Sequence, residues 1–358
     1  MRIAVLGGGN GCYAAAADLA EQGHRVRLWR RDSTALDAIH QAGGIVLRDH
    51  AGARCIALDQ VGGDLAGAVR GAEVLLIPLP AFAQRDLALQ LAPQVEDGQI
   101  IFLPPGTFGS VFMAQELRRA GCRAQLSFAE SGTLPYLARK RGAAEIAITI
   151  RAKRLPTGVF PAREAEATIN RLRAAYPAVE GCGDALSCAL VNAGPIIHPP
   201  LILMNAAPLE HFERWDIHNE GTQPAVRRVT DLLDSERIAL REALGYGAPH
   251  FPLRDHYTSD RWMYGDANDR LVDSGDWREH ISLTQHRYMT EDVALGLYLL
   301  TSAARWAGVA TPIADGLFAL GGAVCGRDFR GGERSFAALG LAGFSRAQLG
   351  DYLHHGLD

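Results

Sequence analysis

Two short segments in the second half of the chain carry the residue types that acid–base chemistry uses. The first, NAGPIIHPP at 192–200, contains His198, and the second, HRYMTEDVALGL at 286–297, contains Arg287 and Asp292. Histidine transfers protons near neutral pH, and a carboxylate partner orients it and raises its pKa. Arginine binds a carboxylate through two parallel hydrogen bonds. This set suits the reduction of a C=O or C=N bond, although spacing alone does not pair residues 94 positions apart.

Each of these residues also has a structural interpretation. A lone histidine is more often structural than catalytic, and Pro199 and Pro200 are expected to stop the helix-like run before them. In the second segment, Thr290 is expected to cap a helix whose first turn holds Glu291 and Asp292. The helix dipole favours acidic side chains there, so a capping role is available for both.

The beginning of the chain indicates a nucleotide site. The apolar strand RIAVLG leads through glycines into the helical stretch NGCYAAAADLAEQG and then into a second strand, HRVRLWRR. In such a βαβ unit, the first glycine permits a tight turn, and the second lets the backbone approach a pyrophosphate at the helix N-terminus. The alternative is a plain glycine turn in another α/β protein. The predicted cofactor contacts of this loop and a later strand end are Gly7, Gly9, Asn10, Gly11, Cys12 and Pro80.

Two adjacent arginines stand where an NAD site usually has an acidic residue that binds the ribose 2′-OH. Arg30 follows Gly7 by 23 residues, and Arg31 comes next. Because guanidinium groups bind phosphate in a fork, we predict that this pair binds the 2′-phosphate of NADPH, so that NADP(H) is favoured over NAD(H). Both side chains can point the same way only if the strand has ended. The alternative is that one or both are solvated and that Asp32 binds the ribose of NAD.

The order of strand and helix patterns predicts two domains. Strands and helices alternate through the first half, which indicates an N-terminal Rossmann domain with a doubly wound parallel sheet at 1–183. Long helical patterns replace them afterwards and predict an all-α C-terminal domain at 184–358 for substrate and catalysis. The polar and aromatic stretch at 251–282 is expected to form loops or short helices.

Composition excludes several classes of protein. The 358 residues are 48% hydrophobic with a net charge of −4, which indicates an ordinary globular protein without a nucleic-acid or anionic-membrane partner. The first strand begins at once and the sequence has no long uninterrupted apolar run, so a cytoplasmic location is predicted. The six cysteines include no CxxC pair, and no metal site is predicted.

The chain resembles the opine dehydrogenase family, which includes the octopine, nopaline and N-(1-D-carboxyethyl)-L-norvaline dehydrogenases, nearly from end to end. The resemblance is carried by LGGGNG, NAGPIIHPPLILMNAA, EGTQPAV, LDSERIAL, RYMTEDVALGL and DFRGGERSFAALGL. It implies a Rossmann domain joined to a helical domain, and small-molecule substrates: an amino acid is condensed with a 2-oxo acid, pyruvate being favoured, and NAD(P)H reduces the imine. It also implies that His198 is the acid/base residue, that Asp292 is its partner, that Arg287 binds a carboxylate, and that the protein is a homodimer. The chain departs from the family pattern at Cys12 and Arg30.

Two other functions remain open at this stage. A simple reductase of 2-oxo acids or ketones, similar to 2-dehydropantoate reductases, would share the fold but usually carries a catalytic lysine in its helical half. No lysine follows Lys153 here. A nucleotide-sensing protein without chemistry is the other alternative, and the presence of His198, Arg287 and Asp292 argues against it. The identity of the amine stays open, with the loops at 205–222 and 250–282 expected to select it.

Overall fold

The computed structural model describes residues 1–256, 260–265 and 281–357, which pack as two compact units. The first unit is Met1–Cys188 with the C-terminal residues from Tyr352 onward, and the second is Ala189–Asp351. The boundaries of these units differ from those of the predicted domains, 1–183 and 184–358. Most of the helix Ala185–Ala189 packs with the first unit, and so does the C-terminal end of the chain.

The first unit contains two β-sheets with helices between their strands. Its strands are β1 (Arg2–Leu6), β2 (Arg25–Trp29), β3 (Ile45–Asp49), β4 (Gly52–Ile56), β5 (Gln60–Gly62), β6 (Val74–Leu76), β7 (Ile100–Leu103), β8 (Ser127–Ser131), β9 (Tyr136–Gly142), β10 (Glu145–Arg151), β11 (Leu155–Phe160) and β12 (Val179–Asp184). Its helices are α1 (Asn10–Glu21), α2 (Asp37–Ala42), α3 (Leu65–Val69), α4 (Gln84–Leu91), α5 (Gly109–Arg119), α6 (Ala165–Arg173) and α7 (Ala185–Ala189), of which the last ends at the start of the second unit.

The larger sheet has eight strands in the order β12-β11-β8-β7-β6-β1-β2-β5. From β5 to β8 all neighbours are parallel, and β11 alone pairs antiparallel with β8. This is the doubly wound order of a Rossmann fold, so the predicted fold class of the first half is confirmed. In such a sheet, the loops at the carboxyl ends of the strands form the ligand edge. The loops after β1, β2, β6 and β7 therefore share one edge.

Helix α1 packs among residues of both sheets. The smaller sheet has the order β4-β3-β10-β9, and its inward residues share one buried core with those of the larger sheet. Four consecutive alanines at 14–17 are fully or almost fully buried in this core. Their small side chains let the helix backbone approach the strands closely, as binding a nucleotide at its N-terminus requires.

The described residues of the second unit form helices joined by loops, and they contain no strand. The helices are α8 (Gly194–Met204), α9 (Ala206–His211), α10 (Pro224–Ala243), a π-helical segment (Tyr288–Leu297) that continues into α11 (Tyr298–Ala307), α12 (Pro312–Cys325) and α13 (Arg346–His355), whose last residues belong to the first unit. A helical second half was predicted and is confirmed. Of the stretch 251–282, Leu253–Asp255 forms a 3₁₀ turn, and residues 257–259 and 266–280 lie outside the described residues.

Helix α8 continues through the two prolines that were expected to stop it. Pro199 and Pro200 both lie inside the helix and are buried. An interior proline removes a backbone hydrogen bond and collides with the preceding turn, at about 3 kcal/mol or more. Because α8 packs against the π-helical segment and α10, burial of this apolar helix outweighs the local cost. The expected stop next to His198 is therefore wrong.

The second helix boundary also differs from expectation. Thr290 is the third residue of the π-helical segment, and its hydroxyl donates to the carbonyl oxygen of His286 at 3.3 Å. Thr290 is therefore not the predicted cap, although Glu291 does lie in the first turn of the segment, as predicted. A π-helix is rare and occurs most often near functional sites.

One segment of the described chain, Ala185–Met204, meets the length and hydropathy expected of a membrane span. However, 83% of its most apolar 18-residue window is buried inside the protein, as in a core helix.

Candidate active site

His198 and Asp292, which are 94 residues apart in the chain, form a direct contact in the second unit. The His198 Nδ1 atom lies 2.7 Å from Asp292 Oδ2. The side chain of Asp292 is 3% exposed and that of His198 is 15% exposed. With Nδ1 held by the carboxylate, the Nε2 atom is left as the proton-transferring edge of the ring.

The second carboxylate oxygen of Asp292 lies against the backbone of α8. A Cβ atom added to Gly194 would lie 2.4 Å from Asp292 Oδ1, which is too close for any real Cβ contact. Gly194 is the first residue of α8, and Asn192 Oδ1 accepts a hydrogen bond from its N–H at 3.1 Å. The absence of a side chain at Gly194 therefore lets the carboxylate reach His198.

Burial sets the protonation of this pair. Burial raises the pKa of the Asp292 carboxyl to about 7, although the Arg287 guanidinium opposes the shift. Burial, together with the same guanidinium, lowers the pKa of His198 well below its usual range. Because the two groups are in contact, their protonation is coupled, and burial disfavours the charged form of each.

Tyr288 fixes the plane of the His198 ring. The two rings stack with centroids 3.6 Å apart and an interplanar angle of 12°. The Tyr288 hydroxyl lies 2.9 Å from His218 Nε2, and the His286 ring meets Tyr288 edge-on at 4.3 Å. Tyr288 and Asp292 are four residues apart on one helical segment, so a single element positions both neighbours of His198.

Arg287 immediately precedes Tyr288 at the start of the π-helical segment, and its charge lowers the pKa of both His198 and Asp292. Its Nε is 3.7 Å from Glu291 Oε2 and, although buried, donates no hydrogen bond to any described residue. The side chain as a whole is 38% exposed. The structure thus places the three predicted residues in one region, and the Arg287 guanidinium there is partly exposed and lies 3.7 Å from Glu291.

Other motif residues position the segments that surround Tyr288. Asn205 donates to the Leu201 and Gly221 carbonyl oxygens and accepts from Trp215 Nε1, which holds the segment with His218 against α8. In the LDSER motif, Arg237 donates to the His250 and Phe251 carbonyl oxygens. These contacts explain the motif residues structurally. The supporting role of Tyr288 and His218 was not predicted, because no spacing rule links them to His198.

The glycine loop of the first unit fits a dinucleotide. Gly7 has a φ of +131°, and a Cβ there would lie 2.5 Å from Leu79 Cδ2. Around Gly9 no described atom lies within 4 Å of an added Cβ, and no side chain caps the N-terminus of α1. The first N–H groups of α1 are therefore available to a pyrophosphate.

The remaining predicted loop residues have mixed surroundings. Cys12 is fully buried, and burial raises the pKa of its thiol to about 12, so it is a small neutral side chain at the third glycine position. Asn10 Oδ1 accepts from the backbone N–H of Lys140 at 3.0 Å, and Gly11 packs on Pro78. Pro80 lies two residues further along the chain and begins the turn before α4. Pro78 and Leu79, which contact the loop, lie in the same strand-end stretch as the predicted Pro80.

Arg30 lies directly over the glycine loop. A Cβ added to Gly8 would be 2.6 Å from Arg30 Cδ and 2.8 Å from its Nε. Strand β2 ends at Trp29, so both arginines follow the strand, and Arg31 is exposed. Asp32 is also exposed, and the Thr34 hydroxyl that donates to it holds the pKa of its carboxyl below the usual value. At this edge of the sheet, the arginines are therefore placed to bind a 2′-phosphate, and Asp32 is placed to bind a ribose hydroxyl.

The loop after β7 has a strained backbone. Thr107 and Phe108 have φ values of +54° and +59°, in the left-handed region that side chains rarely adopt. The fully buried Glu130 carboxylate accepts hydrogen bonds from the Phe108 N–H at 2.8 Å and from the Ser110 hydroxyl. This buried carboxylate holds the loop at the ligand edge of the sheet, where strain of this kind often marks a functional segment.

A search of residues 1–256, 260–265 and 281–357 finds no group of three or more histidine, cysteine or acidic side chains that could hold a metal ion.

Comparisons with known proteins agree with both units. Residues 181–325 match the family described as NAD/NADP octopine/nopaline dehydrogenase, alpha-helical domain. Residues 2–104 match the NAD-dependent glycerol-3-phosphate dehydrogenase N-terminus. The opine dehydrogenase of Arthrobacter sp. (strain 1C) is 27% identical, with 96% of each chain covered.

Solved structures show the same fold. Octopine dehydrogenase in complex with NADH and agmatine has a TM-score of 0.74 at 18% identity and covers 99% of this chain and 98% of its own. Yersinopine dehydrogenase with bound NADP+ has a TM-score of 0.68 at 17% identity, with 99% and 98% covered. The nucleotide loop and the matches to both units define an NAD(P)-dependent oxidoreductase. Within that class, the second half of the chain matches the octopine/nopaline dehydrogenase helical domain, and the whole chain is similar to an opine dehydrogenase.

Proposed function

We propose that the protein condenses the amine of an amino acid with a 2-oxo acid, favouring pyruvate, and reduces the resulting imine with NADPH. The observation that supports this most is the 2.7 Å contact between His198 and Asp292, with Arg287 beside it. These are the residues to which the family resemblance gives the acid/base and carboxylate-binding roles.

His198 is the proton-transferring group in this proposal. A substrate ammonium must lose a proton before its nitrogen can attack the oxo acid carbonyl. His198 accepts that proton at Nε2, while Asp292 stabilises the imidazolium through Nδ1. The proton is then returned to the carbinolamine hydroxyl, which leaves as water and creates the C=N bond.

Arg287 holds the oxo acid. Its guanidinium forms two charge-assisted hydrogen bonds with the substrate carboxylate, which orients the carbonyl carbon toward the amine. The same charge keeps the proton on His198 weakly held and therefore easy to return. The nicotinamide, bound through the glycine loop, supplies the hydride.

The test is nicotinamide absorbance against a matrix of 2-oxo acids and amino acids, with NADPH and NADH in parallel and each substrate also tested alone. Oxidation that requires both an oxo acid and an amine supports the proposal and names the substrates. Oxidation with an oxo acid alone contradicts it and indicates a simple 2-oxo acid or ketone reductase.

Gly194→Ala tests the space that the Asp292 carboxylate occupies. The new methyl group would lie 2.4 Å from Asp292 Oδ1 and must displace it from His198. We expect kcat to fall by about 10- to 100-fold, the usual cost of moving a catalytic group by about 1 Å. The measurement is steady-state kinetics together with Tm. The control is Gly316→Ala in α12, where no described atom lies within 4 Å of the added Cβ. Unchanged kcat in Gly194→Ala would contradict the positioning.

Arg30→Glu tests the choice of nucleotide. A carboxylate next to Gly8 would repel the 2′-phosphate, whereas the wild-type guanidinium binds it. We expect Kd for NADPH to rise by about 10-fold or more, and that for NADH to change much less. Fluorescence titration measures both constants without turnover. Arg31→Glu separates the two arginines, and the exposed Arg123→Glu is the control for net charge. An equal rise for both nucleotides would show that Arg30 does not recognise the 2′-phosphate.

A homodimer and a cytoplasmic location complete the proposal. The family resemblance supports the first. Light scattering after size-exclusion chromatography would measure the oligomeric state, and fractionation of the source cells would measure the location.

A further inference from the structure

A second group of side chains adjoins His198 in the same unit. The ring of His256 meets that of Trp262 edge-on at 5.1 Å. Burial holds the pKa of His256 well below its usual range, and the nearby His218 and His198 lower it further. His218 also contacts the hydroxyl of Tyr288, whose ring covers His198. His198, Tyr288 and His218 therefore form one group of contacting rings, and His256 and Trp262 form a second group, whose histidine is influenced by His218 and His198.

Trp262 carries a buried donor without an acceptor. The residue is 2% exposed, and its Nε1 forms no hydrogen bond with any described residue. The other described tryptophans, by contrast, donate to an oxygen at 2.9 to 3.0 Å: Trp29 to Gly63, Trp215 to Asn205 and Trp306 to Phe344. Buried polar groups are almost always paired, so an orphan N–H beside a candidate active site indicates a ligand that accepts its hydrogen bond.

The charges around this group disfavour a cationic ligand. Three described acidic side chains of this region have basic partners: Asp292 contacts His198, Glu291 lies 3.7 Å from Arg287, and Asp255 lies 3.4 Å from Arg261. Burying a cation needs a carboxylate that is free to pair with it. A ligand acceptor, in contrast, meets the indole N–H of Trp262.

We propose that His218, His256 and Trp262 form the subsite for the side chain of the amine substrate and select amino acids whose side chains end in a hydrogen-bond acceptor, a carboxylate or a carboxamide. This inference rests on the proposed function, because the amine must lie at His198 for its side chain to reach this subsite.

The first test is a panel of amines with one fixed oxo acid and the preferred nucleotide. Glutamate, glutamine, aspartate and asparagine are compared with norvaline, and with arginine and lysine. We expect kcat/KM for the best acceptor side chain to exceed that for norvaline by about 10-fold or more. A preference for arginine, lysine or norvaline would overturn this inference and leave the proposed function intact. Turnover that needs no amine would overturn the proposed function.

Trp262→Phe tests the orphan donor, because it removes the indole N–H and keeps an aromatic ring. We expect kcat/KM for the acceptor amine to fall about 10-fold further than that for norvaline, mainly through KM. Trp306→Phe is the matched control, since its N–H donates to the Phe344 carbonyl oxygen. An equal loss for both amines in Trp262→Phe would indicate a purely structural role and overturn the subsite.

Discussion

His198→Ala is expected to lower kcat by about 10²-fold or more, the usual contribution of a general acid/base. The variant removes the atom that accepts the ammonium proton and leaves the buried Asp292 carboxyl without its partner at 2.7 Å. Because the glycine loop lies in the other unit, Kd for the nucleotide should stay near the wild-type value. Stopped-flow or steady-state nicotinamide absorbance measures kcat, and fluorescence titration measures Kd.

A second variant separates chemistry from packing. His198→Asn keeps a donor close to the position of Nδ1, so Asp292 retains a partner, but it has no Nε2. Both variants should therefore be impaired to a similar degree. The exposed His354→Ala is the control for loss of an imidazole elsewhere. Near-normal turnover in either variant at position 198 would remove this residue from the mechanism.

Local patterns were sufficient to predict the Rossmann half. Strand β1, the glycine turn and α1 follow one another within about 30 residues, as a βαβ unit does, and each leaves its own periodicity in the sequence. The run of alanines in α1 also indicated close packing of helix on sheet. What the pattern could not show is that α1 packs against two sheets, because β9 and β10 lie far away in sequence.

Helix boundaries in the second half were harder to predict because tertiary packing overrides local rules there. Pro199 and Pro200 should end a helix on local grounds, yet α8 buries both and continues to Met204. Thr290 has the chemistry of a cap, yet it lies inside a π-helical segment. A π-helix has no distinctive sequence signal, since it depends on the packing that it serves.

In the candidate site too, the sequence indicated the types of the residues but not the contacts between them. Residue chemistry indicated His198 and Asp292 separately, and only the family resemblance paired them before the 2.7 Å contact was known. The contact between Gly194 and Asp292 could not be predicted, because no sequence pattern shows that a carboxylate oxygen occupies the space of the missing side chain. The orphan N–H of Trp262 could not have been found either, since it is defined by the absence of a neighbour.

Asp292→Asn is expected to reduce kcat by about 10²- to 10⁴-fold. An asparagine has nearly the same shape, so the space beside Gly194 stays filled, but it cannot stabilise an imidazolium. Its amide can also present N–H to His198 Nδ1, which places the ring proton on Nε2 and blocks proton acceptance there. The control is Asp231→Asn on the exposed face of α10, which removes one carboxylate without touching the site.

The pH profile distinguishes this role from a structural one. In the oxidative direction, the secondary ammonium of the product must lose a proton to the pair, so only the proton-free pair is active. Because burial raises the pKa of Asp292 to about 7, kcat/KM should rise as pH increases through about 7 and fall as pH decreases through it. In Asp292→Asn this titration disappears, and the acidic limb follows His198 alone, whose lowered pKa moves it to lower pH. An acidic limb that stays near pH 7 in the asparagine variant would assign the titration to another group, and Asp292 would then position His198 without sharing its proton.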